Sequence, residues 1–194
     1  MQKVAANPNH SHWYIERFRS MARAGEDLAG EARLVDAMAP RGAGILDAGC
    51  GPGRLGGYLA AAGHHVVGVD VDPALIEAAE HDHPGPQWLV GDLAELDLPA
   101  RGIVEPFDVI VSAGNVMTFL APSTRVQVLG RLHAHLKGDG RAVIGFGAGR
   151  DYEFGQFLED TAVAGFVPDL LLSTWDLRPF TAESDFLVAV LRPV

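Results

Sequence analysis

The segment ILDAGCGPGRLG, Ile45 to Gly56, constrains this chain more than any other: a short apolar strand runs straight into a loop with glycine at 49, 51, 53 and 56. Glycines at that density let a backbone turn tightly and approach a ligand with no Cβ in the way. The spacing starts a helix near Arg54, whose free N–H groups aim into the same space and suit a carboxylate or a phosphate. A second apolar strand, HVVGVD, then stops at Asp70. A carboxylate ending the next parallel strand can accept both hydroxyls of a ribose. Loop and acid together read as a nucleoside-cofactor site on a doubly wound α/β sheet.

Nicotinamide cofactors use a similar loop, so the strand end matters. Asp47 stands there, and an acid at that position suits a ligand carrying an ammonium and repels a pyrophosphate. The run Asp47-Ala48-Gly49-Cys50-Gly51-Pro52-Gly53 resembles the first motif of the class I S-adenosylmethionine-dependent methyltransferases, small-molecule type. Four more stretches, in family order, extend the resemblance: Val66–Pro73, Gln87–Leu93, Phe107–Gly114 and Leu136–Ile144. The last resembles an L-K-P-G-G turn, with Gly138 where the family has proline and Asp139 where it has glycine.

The resemblance implies S-adenosyl-L-methionine as cofactor, held by Asp47, Gly49, Cys50, Gly51, Gly53 and Arg54 along the loop. It assigns Asp70 and Val71 to the ribose, Asp92 and the Leu93 backbone to the adenine, and Arg17 to the cofactor carboxylate. Catalytic candidates are His12, Tyr14 and Asn115, the last following Gly114 where acceptor and methyl should meet. His12 suits a general base because imidazole titrates near neutrality; the plainer reading makes it a surface or capping residue, with Trp13 and Phe18 packing a helix on the sheet. Asn115 orients a substrate or closes the turn. Asn115-Val116-Met117-Thr118 lacks the two prolines of enzymes that methylate base amino groups. Arg150 and Tyr152 are further candidates, for an anionic substrate and for a phenolic proton respectively, and Trp175 and Asp176 follow the sixth strand.

The pattern predicts one domain over residues 1–194, with an N-terminal helical cap (1–40) on a Rossmann-like core (41–194). Seven strands are expected in the order 3-2-1-4-5-7-6, mostly parallel with the last reversed, because Arg178-Pro179-Phe180-Thr181 leaves no room for a crossover helix. Residues 1–9 read as loose, with Asn7-Pro8-Asn9 a turn. Helices are expected from His12 to Gly25, with Trp13 inward, and from Asp27 to Met38. Further helices are placed at Arg54–Ala62, Pro73–Glu80, Ser123–Leu136 and Glu153–Ala164, with Ser123 and Asp72 as caps. Strands are placed at Gly44–Ala48, His65–Asp70, Gln87–Val90, Phe107–Ser112, Arg141–Phe146, Leu170–Trp175 and Asp185–Leu191.

A net charge of −10 disfavours a nucleic-acid partner, and a small-molecule acceptor with a monomer or homodimer is expected. Thirteen arginines against two lysines read as coding bias rather than an anion site. No stretch reaches a membrane-spanning length and the start lacks a signal-peptide core, so no membrane partner and a cytoplasmic place are expected. Cys50 reads as a space-filler, His81-Asp82-His83 as a solvated turn, and no metal set is apparent. Two rival functions remain: a NAD-dependent oxidoreductase, which would need a tyrosine-lysine pair absent near Lys3 and Lys137, and a non-catalytic binder of the same cofactor.

Overall fold

The computed structural model describes residues 8–194. Strands β1 (Gly44–Ala48), β2 (His65–Asp70), β3 (Gln87–Val90), β4 (Phe107–Ser112), β5 (Leu136–Gly147), β6 (Phe166–Leu172) and β7 (Phe186–Pro193) form one sheet ordered β3-β2-β1-β4-β5-β7-β6. The pairs through β5 are parallel, and β7 runs antiparallel to both β5 and β6. This is the expected topology, reversed last strand included.

Helices cover both faces: α1 (Pro8–Arg23), α2 (Gly30–Met38), α3 (Arg54–Ala61), α4 (Pro73–Asp82), α5 (Arg125–Ala134) and α6 (Phe154–Val163). Successive strand residues point to opposite faces, so a sheet covered twice needs unbroken apolar runs. In β1, Ile45 joins Val35, Leu59 and Val143 on one face, while its neighbour Leu46 joins Ile110, Leu129 and Phe146 on the other. A third cluster, Cys50, Ile76, Ala79 and Trp88, packs under the glycine loop. Trp88 explains a glycine outside the loop: a Cβ on Gly68 would lie 2.3 Å from its indole.

Several boundaries differ from the sequence expectation. Helix α1 already includes Pro8 and Asn9, since proline is tolerated in a first helical turn; the rest of the expected loose segment lies outside the described residues. Its inward face is Ser11, Tyr14, Ile15 and Phe18, and Trp13 is 57% exposed rather than packed. Helix α2 starts at Gly30 because the Asp27 carboxylate accepts from Ala29 N–H at 3.1 Å and holds a turn ahead of it. Ser123 lies in a single 3₁₀ turn, Pro122–Thr124, and caps nothing. Strand β5 begins at Leu136, opposite Phe107, and the Lys137–Gly140 segment bulges before Arg141 pairs with Val109. Strand β6 begins at Phe166 and ends at Leu172. It tolerates Pro168 because it lies at the sheet edge, where a missing N–H breaks no central ladder.

Candidate functional site

The loop after β1 is held against β2 by two amides: Gly49 and Cys50 N–H both donate to Val69 C=O, at 2.8 and 3.1 Å. Gly49, Gly51 and Gly53 all have positive φ, a backbone conformation costly for any other residue. Their flanks differ. A Cβ on Gly49 would strike Val116 at 2.4 Å, and one on Gly53 would strike Ala79 and Trp88 within 2.9 Å, so both also serve packing. Gly51 instead faces α1, buried beneath the Tyr14 ring, which lies 3.6 Å from its Cβ position. Gly51 therefore marks the side of the loop that faces α1.

Asp70, at the end of β2, is buried there. Its Oδ2 accepts from Gly51 N–H at 2.9 Å and its Oδ1 from Asp72 N–H at 3.0 Å. Burial raises its carboxyl above the usual range despite these bonds, because a desolvated carboxylate is disfavoured against its neutral form. Asp72 Oδ1 caps α4 through Ala74 N–H at 2.9 Å, as expected, while its Oδ2 accepts from the buried Ser11 hydroxyl of α1. Val71 lies in the bend between these acids.

Asp47 lies beneath the loop, 3% exposed, and its Oδ2 accepts from Gly56 N–H in the first turn of α3 at 3.0 Å. Desolvation pushes its carboxyl up to about 7. Cys50 fills space beside Trp88, and burial raises its thiol well above the normal value. The Arg54 side chain is committed elsewhere: it pairs with Glu31 at 2.8 and 2.9 Å, donates to Leu28 C=O, and lies over Phe18. Only its backbone amide stays at the helix start. Asp92 caps a short 3₁₀ turn through Ala94 N–H at 2.9 Å, with the Leu93 side chain in the core. A cavity of about 90 Å³ opens beside Asp92, lined also by Val69, Gly91, Leu96 and Arg101.

Helix α1 lies over this end of the sheet. Arg19 binds both Asp82 oxygens at 2.8 and 3.1 Å, so the His81-Asp82-His83 run is an anchor for α1 rather than a merely solvated turn. Between α1 and the loop a cavity of about 330 Å³ is lined by Ile15, Phe18, Ala22, Leu28, Pro52 and Arg54, among others. The Tyr14 hydroxyl reaches 3.9 Å from the Cβ position of Gly114, joining α1 to the end of β4. Burial raises the Tyr14 phenol above its ordinary value, so near neutrality it is a protonated hydroxyl able to donate a hydrogen bond. Arg17 stacks over Trp13, which in turn stacks on His10. His12 is exposed, with no hydrogen bond among the described residues.

Asn115 has φ 68 and its Oδ1 accepts from Gly147 N–H at 2.8 Å, tying the ends of β4 and β5. It closes the turn, and its amide nitrogen remains free to donate. Tyr152 is 1% exposed with its hydroxyl on Asp160 at 2.6 Å, so it is a core residue and not a substrate contact. Trp175 packs against Gly145, where a Cβ would meet it at 2.3 Å, and Asp176 is exposed beyond it. Sequence reasoning missed Ser11, Glu31 and Arg125; only Glu31 left a signal, an acid in the first turn of a helix facing an arginine-led one.

Residues 45–140 match the family model described as "Methyltransferase domain". A crystal structure of a TehB-like SAM-dependent methyltransferase from Corynebacterium glutamicum superimposes with a TM-score of 0.91 at 54% identity, covering 97% of this chain and 100% of that one. An S-adenosylmethionine-dependent methyltransferase from Clostridium acetobutylicum shares the fold at TM-score 0.78 and 11% identity, covering 94% and 98% of the two chains. Among curated proteins, the magnesium-protoporphyrin O-methyltransferase of Rhodobacter capsulatus is 33% identical over 116 residues, 56% of this chain and 48% of its own length. The mouse 18S rRNA (guanine-N(7))-methyltransferase is 42% identical over 52 residues, 26% of this chain and 18% of its own length. The chain thus spans less than half the length of these curated relatives. Near-complete overlap at 54% identity, on a sheet with this order and this loop, decides the family: the chain belongs to the S-adenosylmethionine-dependent methyltransferases.

Proposed function

We propose that this chain binds S-adenosylmethionine and transfers its methyl group to an oxygen, nitrogen or carbon atom of a small molecule. The observation that carries the reading is the Asp70 carboxylate, clamped to Gly51 N–H on the α1-facing side of a left-handed glycine loop. In this reading Asp70 accepts the ribose hydroxyls, and Asp92 with the Leu93 backbone meets the adenine beside the 90 Å³ cavity. Asp47, Tyr14 and Arg17 attend the amino-acid end. The bound sulfonium supplies an already activated methyl.

The protein's part is then orientation and exclusion of water. Tyr14 and Asn115 present hydrogen-bond donors near the ends of β4 and β5, and α1 with α2, between Pro8 and Met38, forms a cap over a core of residues 41–194. Tyr14 and Asn115 are the catalytic candidates in this scheme, and both act by positioning. A small acceptor is favoured because only Ala148–Glu153 separates β5 from α6, which leaves no inserted recognition segment there. The reversed β7 argues against a nicotinamide fold, and Lys137 is occupied by Asp108 at 2.7 Å.

Titration calorimetry with S-adenosylmethionine and with NAD tests this on wild type and Asp70→Asn. Asparagine keeps one acceptor for the local amides but loses the charge-assisted bonds to hydroxyls, worth about 1.5–3 kcal/mol. The sulfonium compound should bind wild type and weaken about ten- to a hundredfold in the variant; binding of NAD alone would overturn the proposal.

A further inference from the structure

The arginines divide sharply by partner. Among the described residues only the guanidinium groups of Arg131 and Arg150 make no ion pair, hydrogen bond or aromatic stack. Arg131 lies exposed in the last turn of α5. Arg150 lies at the mouth of the site: its Nε is 3.7 Å from the Cβ position of Gly147, the residue whose amide Asn115 holds. The neighbouring acids Asp151, Glu153 and Asp185 are exposed and none pairs with it.

The loop that presents Arg150 is pinned on both sides. Asn115 fixes Gly147, and beyond Arg150 the Arg125 guanidinium donates to Asp151 C=O at 2.5 Å while lying 3.9 Å over the Tyr152 ring. Tyr152 in turn is anchored to Asp160 at 2.6 Å. Short, anchored loops lose little conformational freedom when they bind. Phe186 adds an apolar wall, its ring 3.6 Å from the same Gly147 Cβ position, and Tyr14 and Asn115 add neutral donors.

We infer that the methyl acceptor is an organic anion, an apolar body bearing a carboxylate, and that Arg150 binds that carboxylate and sets acceptor specificity. The inference rests on the methyltransferase reading above and narrows its substrate class. A chain of net charge −10 repels anions at long range, so such an acceptor needs a local cation free of internal carboxylates. Guanidinium suits the task because its planar fork grips a carboxylate with two parallel bonds.

The test uses the full chain saturated with S-adenosylhomocysteine, titrated with benzoate and with its neutral isostere benzamide, followed by calorimetry or ligand-observed NMR. The proteins are wild type, Arg150→Gln, Arg150→Lys and Arg131→Gln. Benzoate should bind wild type and Arg131→Gln saturably and at least tenfold more tightly than benzamide. Arg150→Gln should lose that preference while still binding S-adenosylhomocysteine, and Arg150→Lys should restore part of it. Equal binding of the two probes to wild type, absence of benzoate binding, or an unchanged preference in Arg150→Gln would overturn the assignment. Failure of S-adenosylhomocysteine to bind wild type would instead fell the methyltransferase reading, and this inference with it.

Discussion

Replacing Asp47 by asparagine removes a charge from beneath the glycine loop and leaves the local shape, because the amide carbonyl can still accept from Gly56 N–H. Burial holds the native carboxyl at about 7, against about 3.9 in an unfolded chain. A folded-state value above the unfolded one means that the native protein binds the proton more tightly, so stability falls as pH rises. The loss begins near pH 4, as the unfolded chain ionises, and is complete above pH 7, once the folded carboxyl has ionised too. Three units at about 1.4 kcal/mol each give about 4 kcal/mol. Urea unfolding of both proteins from pH 4 to pH 8 measures it, since titrations shared by the two cancel in the difference. Wild type should lose about 4 kcal/mol relative to Asp47→Asn across that range. A difference flat to about 1 kcal/mol would refute the account of a carboxylate ionising without solvent. Saturating S-adenosylmethionine should move the upper end of the window to lower pH, because an ammonium beside Asp47 favours its ionised form.

Cys50 should resist thiol reagents in the native protein and react on unfolding, since burial both shields it and disfavours the thiolate; rapid native labelling would contradict its place beside Trp88. Gly68→Ala should cost about 1–3 kcal/mol by overpacking against Trp88 and shift the intrinsic fluorescence, and an unchanged melting curve would refute that contact. Arg19→Ala should lower global stability by no more than about 1 kcal/mol, as expected of a half-exposed pair, yet speed proteolysis within α1. Unaltered cleavage there would show that Asp82 does not anchor the helix.

The four strands of the nucleotide half were legible to the residue because each is a short apolar run with a glycine, proline or aspartate at or near its ends. Boundaries failed where a long-range partner overrode local signals. Leu136–Gly140 looks like a turn, but Leu136 pairs across from Phe107 and the rest bulges within the strand, and Pro168 looks like a break but sits on an edge. In the site, acids that end strands stood out, since a carboxylate after an apolar run has few structural reasons to be there. The identity of their partners did not: Ser11 on Asp72 spans 61 positions, and Arg54 on Glu31 spans 23. Tyr152 misled because a tyrosine in a polar loop gives no hint that an arginine 27 positions earlier, Arg125, roofs its ring. Trp13 misled because helical spacing fixes which residues share a face but not which face turns inward.

Strand β7 lies between two strands that precede it in the chain, and β6 touches the sheet only through it. Apart from the Pro179–Phe180 contact at its end, β6 has no ladder in the sheet until β7 supplies one, so the two add as a hairpin or in reverse of their sequence order. Anything that delays β7 leaves two unsatisfied backbone edges at once, one on β5 beside the Asn115 and Arg150 loops and one on β6, each a template for a foreign strand. Closure of the sheet and completion of the acceptor mouth are in that sense a single folding event.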